Sequence, residues 1–346
     1  MSPDLATDIA PDMTTEITIA ATVTTTPLPI PRLLKVAVMG AGAVGCYYGG
    51  LLALAGHAVT LIARPQHVAA MLAHGLHFET AAVNTHILLS ASTHASAVQD
   101  ADVVLFCVKS PDTEVAGAQM RPFLHADALV LCLQNGVDNT ERLRSVLPAH
   151  AERGQIAAAV VYVATEMAGL GHVKHHGRGE LVIEPSAGSQ TFFNAFTAAG
   201  VPTEISHNVR GALWAKLVIN CAYNAISAIT QLPYGQTVQG VGVQEVMRNV
   251  VAECLAVAAA DGVVVAGDTP AAIANIAHTM PQQLSSTAQD LARGKFSEID
   301  HLNGFVVRRG QALGVPTPAN GVLWALVKLL SQHHKVAQSL PLPPSA

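Results

Sequence analysis

The chain has 346 residues, 50% of them hydrophobic and 12% charged, with a formal net charge of -5. That much apolar material excludes disorder for the bulk of the chain, and the length suits two domains of ordinary size. No basic patch and no run of lysines interleaved with aromatics is present, which argues against nucleic acid as a partner and leaves small molecules as the expected ones.

Residues 1–32 are rich in Thr, Pro and Asp and lack a basic start followed by an apolar core. They read as a flexible extension or the result of a start codon placed too early, not as a secretory signal or an Arg-rich transit peptide. From Leu33 the pattern alternates, with strands expected at 34–39, 58–62, 103–108, 128–133 and 156–164 and helices between them. Such alternation is the signature of a doubly wound parallel sheet. Lys35–Met39 reads as a buried strand, the turn Gly40, Ala41, Gly42, Ala43, Val44, Gly45 follows at once, and an apolar helix from Ala43 to Ala55 leads into a second strand, Ala58–Ile62. In this arrangement Gly40 permits the tight turn, Gly42 lets backbone approach a pyrophosphate, and Gly45 lets helix and strand pack closely. The helix N-terminus then offers free N–H groups to the phosphates. A Rossmann domain over 33–202 is the expectation.

The end of the second strand selects the cofactor. An NAD site carries Asp or Glu there to accept a hydrogen bond from the ribose 2′-OH, whereas this chain has Ala63 and then Arg64, which suits a 2′-phosphate. NADPH or NADP+ is therefore expected. Lys109 follows the apolar run VVLFCV, where parallel strands present ligand-binding residues, and is expected to contact the cofactor.

Further along, GHVKHHGRGELVIEP alternates like a hairpin with exposed tips. His172, His175 and His176, among sixteen histidines, have no spaced Cys or carboxylate partner set, so no metal is expected. After Pro202 the character changes to long helical patterns at 208–230, 241–262, 271–279, 298–313 and 319–335, broken by Pro233, Gly262, Pro270, Pro281 and Pro316. These define a helical domain over 203–336 with a tail at 337–346, and the cleft between the domains is the expected ligand site. Glu253, Asp261 and a polar stripe interrupt the longest apolar stretches, so no membrane span is expected. The five cysteines, Cys46, Cys107, Cys132, Cys221 and Cys254, lie inside apolar elements and read as core residues of a reducing cytosol.

The polar stripe is the most informative part of the chain. In GALWAKLVINCAYNAISAI the strongly polar side chains are Lys216, Asn220 and Asn224, whose i, i+4, i+8 spacing puts them on one narrow line of a helix. The other directions are apolar, so the helix belongs in an interior and the stripe must face a polar cavity. Unsatisfied, each amide would cost about 2–7 kcal/mol, and a small polar ligand would remove that cost.

Taken with GAGAVG and Arg64, the segments FCVKS, LQNG, KLVINCAYN and SSTAQDLARGKFSEIDHLNG resemble the ketopantoate reductases, from Leu33 to about Lys335. The resemblance implies a Rossmann domain followed by an all-helical domain of the 6-phosphogluconate dehydrogenase type, and NADPH-dependent reduction of a 2-oxo acid. It implies Lys216 as general acid and Glu298 as its catalytic partner. Asn135, Asn220, Asn224 and Ser286 would line the substrate pocket, with Asn135 and Lys109 near the cofactor. The chain departs from the pattern in its N-terminal extension and in Gln134 before Asn135. Glu298 also opens an apparent helix, where a carboxylate favours the dipole. Asp290 and Asp300 are expected in structural or supporting roles.

The chemistry agrees with these assignments. Ketone reduction places negative charge on oxygen, so an acid must stand there. Burial lowers the pKa of a lysine and a carboxylate neighbour opposes the shift, a balance that sequence leaves open. A related reductase of another 2-oxo acid and a non-catalytic NADPH sensor are the alternatives. A cytoplasmic chain that could form a homodimer is expected.

Overall fold

The computed structural model describes residues 32–339. The expected extension up to residue 31 and the end of the expected tail, 340–346, lie outside the described residues. In chain order the strands are β1 (Lys35–Met39), β2 (Ala58–Ile62), β3 (Leu76–Glu79), β4 (Asn84–Ile87), β5 (Ser90–Ser92), β6 (Val103–Phe106), β7 (Leu129–Cys132), β8 (Ile156–Gly169), β9 (His172–Ile183) and β10 (Thr203–Ile205). The helices of the first half are α1 (Ala43–Leu54), α2 (Pro65–His74), α3 (Thr113–Met120), α4 (Asn139–Val146), α5 (Pro148–Glu152) and α6 (Ser189–Ala198). The second half contains α7 (Val209–Thr230), α8 (Tyr234–Thr237), α9 (Val243–Ala260), α10 (Thr269–Thr279), α11 (Ser286–Ala292), α12 (Asn303–Leu313) and α13 (Pro318–Ser339).

One path of hydrogen-bonded neighbours, β4-β3-β9-β8-β7-β6-β1-β2-β5, runs through the sheet, and β10 pairs with β9. Within it β5, β2, β1, β6, β7 and β8 are mutually parallel. Counted among themselves in chain order, these strands run 3-2-1-4-5-6, the order of a doubly wound dinucleotide-binding sheet. The chain reverses direction across the sheet between β1 and β6, which places a ligand crevice beyond their C-terminal ends.

Beyond β8 the sheet departs from the expected all-parallel form. β8 and β9 form an antiparallel hairpin, β3 joins β9 in parallel, and β4 pairs back on β3. The segment read as a hairpin by itself is thus one strand of a longer hairpin. β10 lies past residue 202 and extends the sheet to Ile205, just before the first long helix of the second half at Val209. The expected helix from 298 starts only at Asn303, after a 3-10 turn at Ile299–His301.

The two faces of the sheet bury separate cores. α1 and α6 cover one, around Tyr48, Phe78, Phe192 and Phe196, while Phe106, Met120 and Leu143 fill the other. The helical half has its own core around Trp214, Cys221, Val250 and Val306. A small cluster of Ala158 and Val160 of β8 with Val209, Ala212 and Leu213 of α7 joins the two halves. α7 corrects the reading that every long apolar stretch is interrupted: with 22 residues and a window of mean hydropathy 1.3, it is long and apolar enough to cross a membrane by length and composition, yet 72% of that window is buried inside the protein. All five cysteines are free thiols, and all but Cys107 are buried.

Candidate active site

The turn after β1 has the geometry that the glycines require. Gly40 adopts φ +88°, and a Cβ there would stand 2.7 Å from the Val108 backbone. At Gly45 a Cβ would meet Val38 at 2.7 Å, so α1 rests directly on β1. Gly42 differs, since nothing lies within 4 Å of where its Cβ would be. That open space adjoins the N-terminus of α1, whose cap makes no side-chain hydrogen bond and whose first turn holds no acidic residue. The free N–H groups and unopposed dipole fit a pyrophosphate. Arg64 is exposed just past the end of β2, one residue before α2.

α7 carries the stripe. Asn208 caps it by accepting the Gly211 N–H, and it stops where Gln231 turns left-handed at φ 54°. Trp214, Leu217, Val218, Cys221 and Ala222 are buried around it, and Asn224 is only 2% exposed. Lys216 and Asn220 are half-buried. Among the described residues, neither side-chain amide of the stripe is engaged in a hydrogen bond, although the Asn224 carbonyl accepts the Ser285 hydroxyl at 3.2 Å. Lys216 Nζ donates to the Val161 carbonyl, beyond the part of β8 that pairs with β7.

Burial is the largest influence on Lys216. With the Arg178 charge it brings the ammonium down to about 8, against the opposing effect of Glu298. Arg178 sits at φ 62° between Gly177 and Gly179 in an irregular stretch of the β8–β9 ladder. Its guanidinium lies 4.7 Å from the centroid of the Tyr162 ring. Tyr162 packs against the α7 cluster, so the arginine is on the Lys216 side of the sheet. A non-glycine residue held at positive φ is uncommon and is retained where the surroundings enforce it.

Glu298 is fixed from the other half of the molecule. Its Oε1 accepts the Ser110 backbone N–H at 2.9 Å and the Ser110 hydroxyl at 2.8 Å. Ser110 is itself fully buried. Asn139 Nδ2 donates to the Ser110 hydroxyl oxygen at 3.0 Å and to the Asn135 carbonyl at 2.6 Å. These contacts use one carboxylate oxygen and leave Oε2 without a hydrogen bond among the described residues. Next to Ser110, Lys109 reaches across to Asp290 of α11 at 2.5 Å. Burial pushes the Asp290 carboxyl up, and Lys109 opposes this.

The structure brings Glu298 together with Asn135 through Ser110, and sets Lys109 on the same crossing. Lys216 sees Glu298 electrostatically but does not hydrogen-bond to it. Ser286 is exposed at the start of α11, while its neighbour Ser285 caps that helix and ties it to α7. Gln134, the departure before Asn135, bonds the Val108 carbonyl at 3.0 Å and Thr113 at 2.8 Å, joining the ends of β7 and β6. Asp300 faces α13, accepting from Trp324 and Lys328 at 2.7 Å each. Ser110, Asn139 and Arg178 escaped the sequence reading. Gly-Arg-Gly inside a strand was the one signal available for Arg178, because glycines in a strand mark bulges.

Comparison with known proteins agrees with this architecture. Residues 36–188 match the family described as ketopantoate reductase PanE/ApbA, and residues 208–331 its C-terminal family. The chain is 30% identical over 300 residues to the 2-dehydropantoate 2-reductase of Pyrococcus horikoshii, covering 85% of this chain and 97% of that one. With the enzyme of the same name from Archaeoglobus fulgidus it shares 31% over 303 residues, 86% and 98% of the two chains. A solved PanE/ApbA family ketopantoate reductase from Ralstonia eutropha JMP134 is 64% identical, with a TM-score of 0.84 over 87% of this chain and 99% of that one. A D-mandelate dehydrogenase solved with NADH and anilino(oxo)acetate shares the fold, with a TM-score of 0.80 at 24% identity over 87% of this chain and 99% of that one.

Proposed function

The chain belongs to the ketopantoate reductase family and is an oxidoreductase acting on CH–OH groups, and from that premise we propose that it reduces ketopantoate to (R)-pantoate with NADPH in the cytoplasm, within pantothenate and coenzyme A biosynthesis. The observation that carries this reading is the stripe of α7, a desolvated ammonium and two unengaged amides on a helix that is otherwise core. Those groups match the substrate, a carboxylate beside a ketone with a hydroxyl farther along. An acid serves the ketone oxygen, and Asn220 and Asn224 supply both donors and acceptors for the hydroxyl. Asn135, Ser286 and the Arg178 charge serve the carboxylate.

The cofactor fits the residues present. The open side of Gly42 and the free N-terminus of α1 would take the pyrophosphate, Arg64 would take the 2′-phosphate, and the resemblance would put Lys109 and Asn135 near the cofactor. NADPH, when bound, supplies the hydride. Lys216 supplies the proton: near neutrality an ammonium with a pKa of about 8 is still charged, yet gives up its proton far more readily than an exposed lysine. Glu298, held by Ser110, stabilises that charge until transfer. The fold is shared with a dehydrogenase solved with NADH, so the choice of NADPH rests on Arg64 and on no fold-level argument.

Lys216→Ala tests the reading. Its kcat should fall by about 10²–10⁴ while NADPH binding stays nearly intact, as for loss of a positioned general acid. Near-wild-type turnover would remove Lys216 from the mechanism, and lost NADPH binding would make its role structural.

A further inference from the structure

The antiparallel edge of the sheet carries a second cluster of chemistry-bearing side chains, which among the described residues make no hydrogen bond to a residue of the cleft. His77 of β3 is in register with His86 of β4 on one side and His172 of β9 on the other. The rings stack, with centroids 4.6 Å and 3.8 Å apart. Glu79 is two residues beyond His77 and so projects from the same face. Its carboxylate lies 2.8 Å from His172 Nε2. One ligand atom from each of His77, Glu79 and His172 falls within 4.8 Å of the others. The reverse face of these strands, Leu76, Phe78, Ile87 and Val173, is buried, so the backbone bearing the cluster is anchored.

We propose that His77, Glu79 and His172 form a site for a borderline-soft divalent transition ion such as zinc. Two imidazoles and a carboxylate suit such an ion, which binds them at about 2.0–2.2 Å and thus draws its ligand atoms to about 3.3–3.5 Å from one another. The remaining gap is one that rotation of the three side chains would have to close, on strands whose register already sets the backbone spacing. Lys174 now holds Glu79 at 2.6 Å, and Asn84 holds His77 Nε2 at 2.8 Å. The ion exchanges an ammonium and an amide for a dication, and His86 or water completes the sphere. This corrects the expectation that His172 lacks a carboxylate partner: the partner comes from β3, which sequence spacing does not reveal. The consequence is structural, a clip between β3 and β9 that pins the sheet edge.

The test is zinc titration of the full-length, tag-free chain against a chromophoric chelator, with the thermal midpoint recorded with and without the ion. About one equivalent should bind and raise the midpoint. His77→Gln, Glu79→Gln and His172→Gln should each weaken binding at least about tenfold, with reductase activity unchanged as proof of folding. Lys174→Met should bind more tightly, because it removes the competing ammonium. His175→Gln, on the same strand but outside the cluster, should bind as the wild type does. Absence of stoichiometric binding, or binding that the three ligand variants leave unchanged, overturns the site.

Discussion

At Lys216 burial and Arg178 push the ammonium down to about 8 while Glu298 holds it up. In the proposed mechanism the protonated form is the acid, so kcat/KM for reduction should be level below about pH 8 and fall above it. Arg178→Gln removes a lowering charge and should move that limb to higher pH, whereas Glu298→Gln should move it lower. A pH profile in which both variants shift the same way would contradict the assigned electrostatics. Ser110 acts one step further out. Its hydroxyl makes one of the two hydrogen bonds to Glu298, and such a bond to a charged group is worth about 1.5–3 kcal/mol. Ser110→Ala should lower kcat by about tenfold to a hundredfold with NADPH affinity retained, and Ser110→Thr should recover much of it. The last residue-scale expectation concerns Arg64, where Arg64→Ala should weaken NADPH much more than NADH. Equal losses for the two cofactors would show that Arg64 does not read the 2′-phosphate.

Among the elements, β1, α1 and β2 were legible almost to the residue, because the Gly40–Gly42–Gly45 spacing admits few other conformations. Gly45→Ala would place a methyl 2.7 Å from Val38 and 3.1 Å from the Gly40 carbonyl. Overpacking of this kind costs about 1–3 kcal/mol. The variant should unfold at lower denaturant and bind NADPH more weakly, and unchanged stability would mean that α1 is free to shift. α7 was legible for the same physical reason, an apolar helix with one polar line. β3, β4, β5 and β10 were not: they have only three or four residues each, too few for a period of two to stand out, and they lack the continuous apolar run that revealed the equally short β6 and β7. Several carry polar residues on one face. The turn before Asn303 was hidden as well, since Glu298 continues a helical composition that the backbone interrupts at Leu302, with φ -111° and ψ -107°.

Across the whole molecule, what the sequence could not display are contacts between distant segments. Ser110 and Glu298 are 188 residues apart, Lys109 and Asp290 181. Each pair joins the end of a parallel strand to the helical half, and nothing in local pattern links them. The candidate acid was visible because its own helix isolates it, but the serine that holds its carboxylate partner was not. In the proposed function the halves supply complementary groups: Lys109, Ser110 and Asn135 follow β6 and β7, while Lys216, Asn220 and Asn224 lie on α7. A site so composed should distinguish substrates by a hydroxyl that the proposal assigns to the two α7 amides. A buried amide left unpaired by the wrong ligand can discriminate by about 10⁴–10⁵. The most direct measurement is kcat/KM with NADPH across a panel of 2-oxo acids that includes ketopantoate and its analogue lacking the hydroxyl. Ketopantoate should rank first, with the analogue far below it and the gap narrowed in Asn224→Ala; equal rates for the two substrates in the wild-type enzyme would contradict the account and point to a different 2-oxo acid.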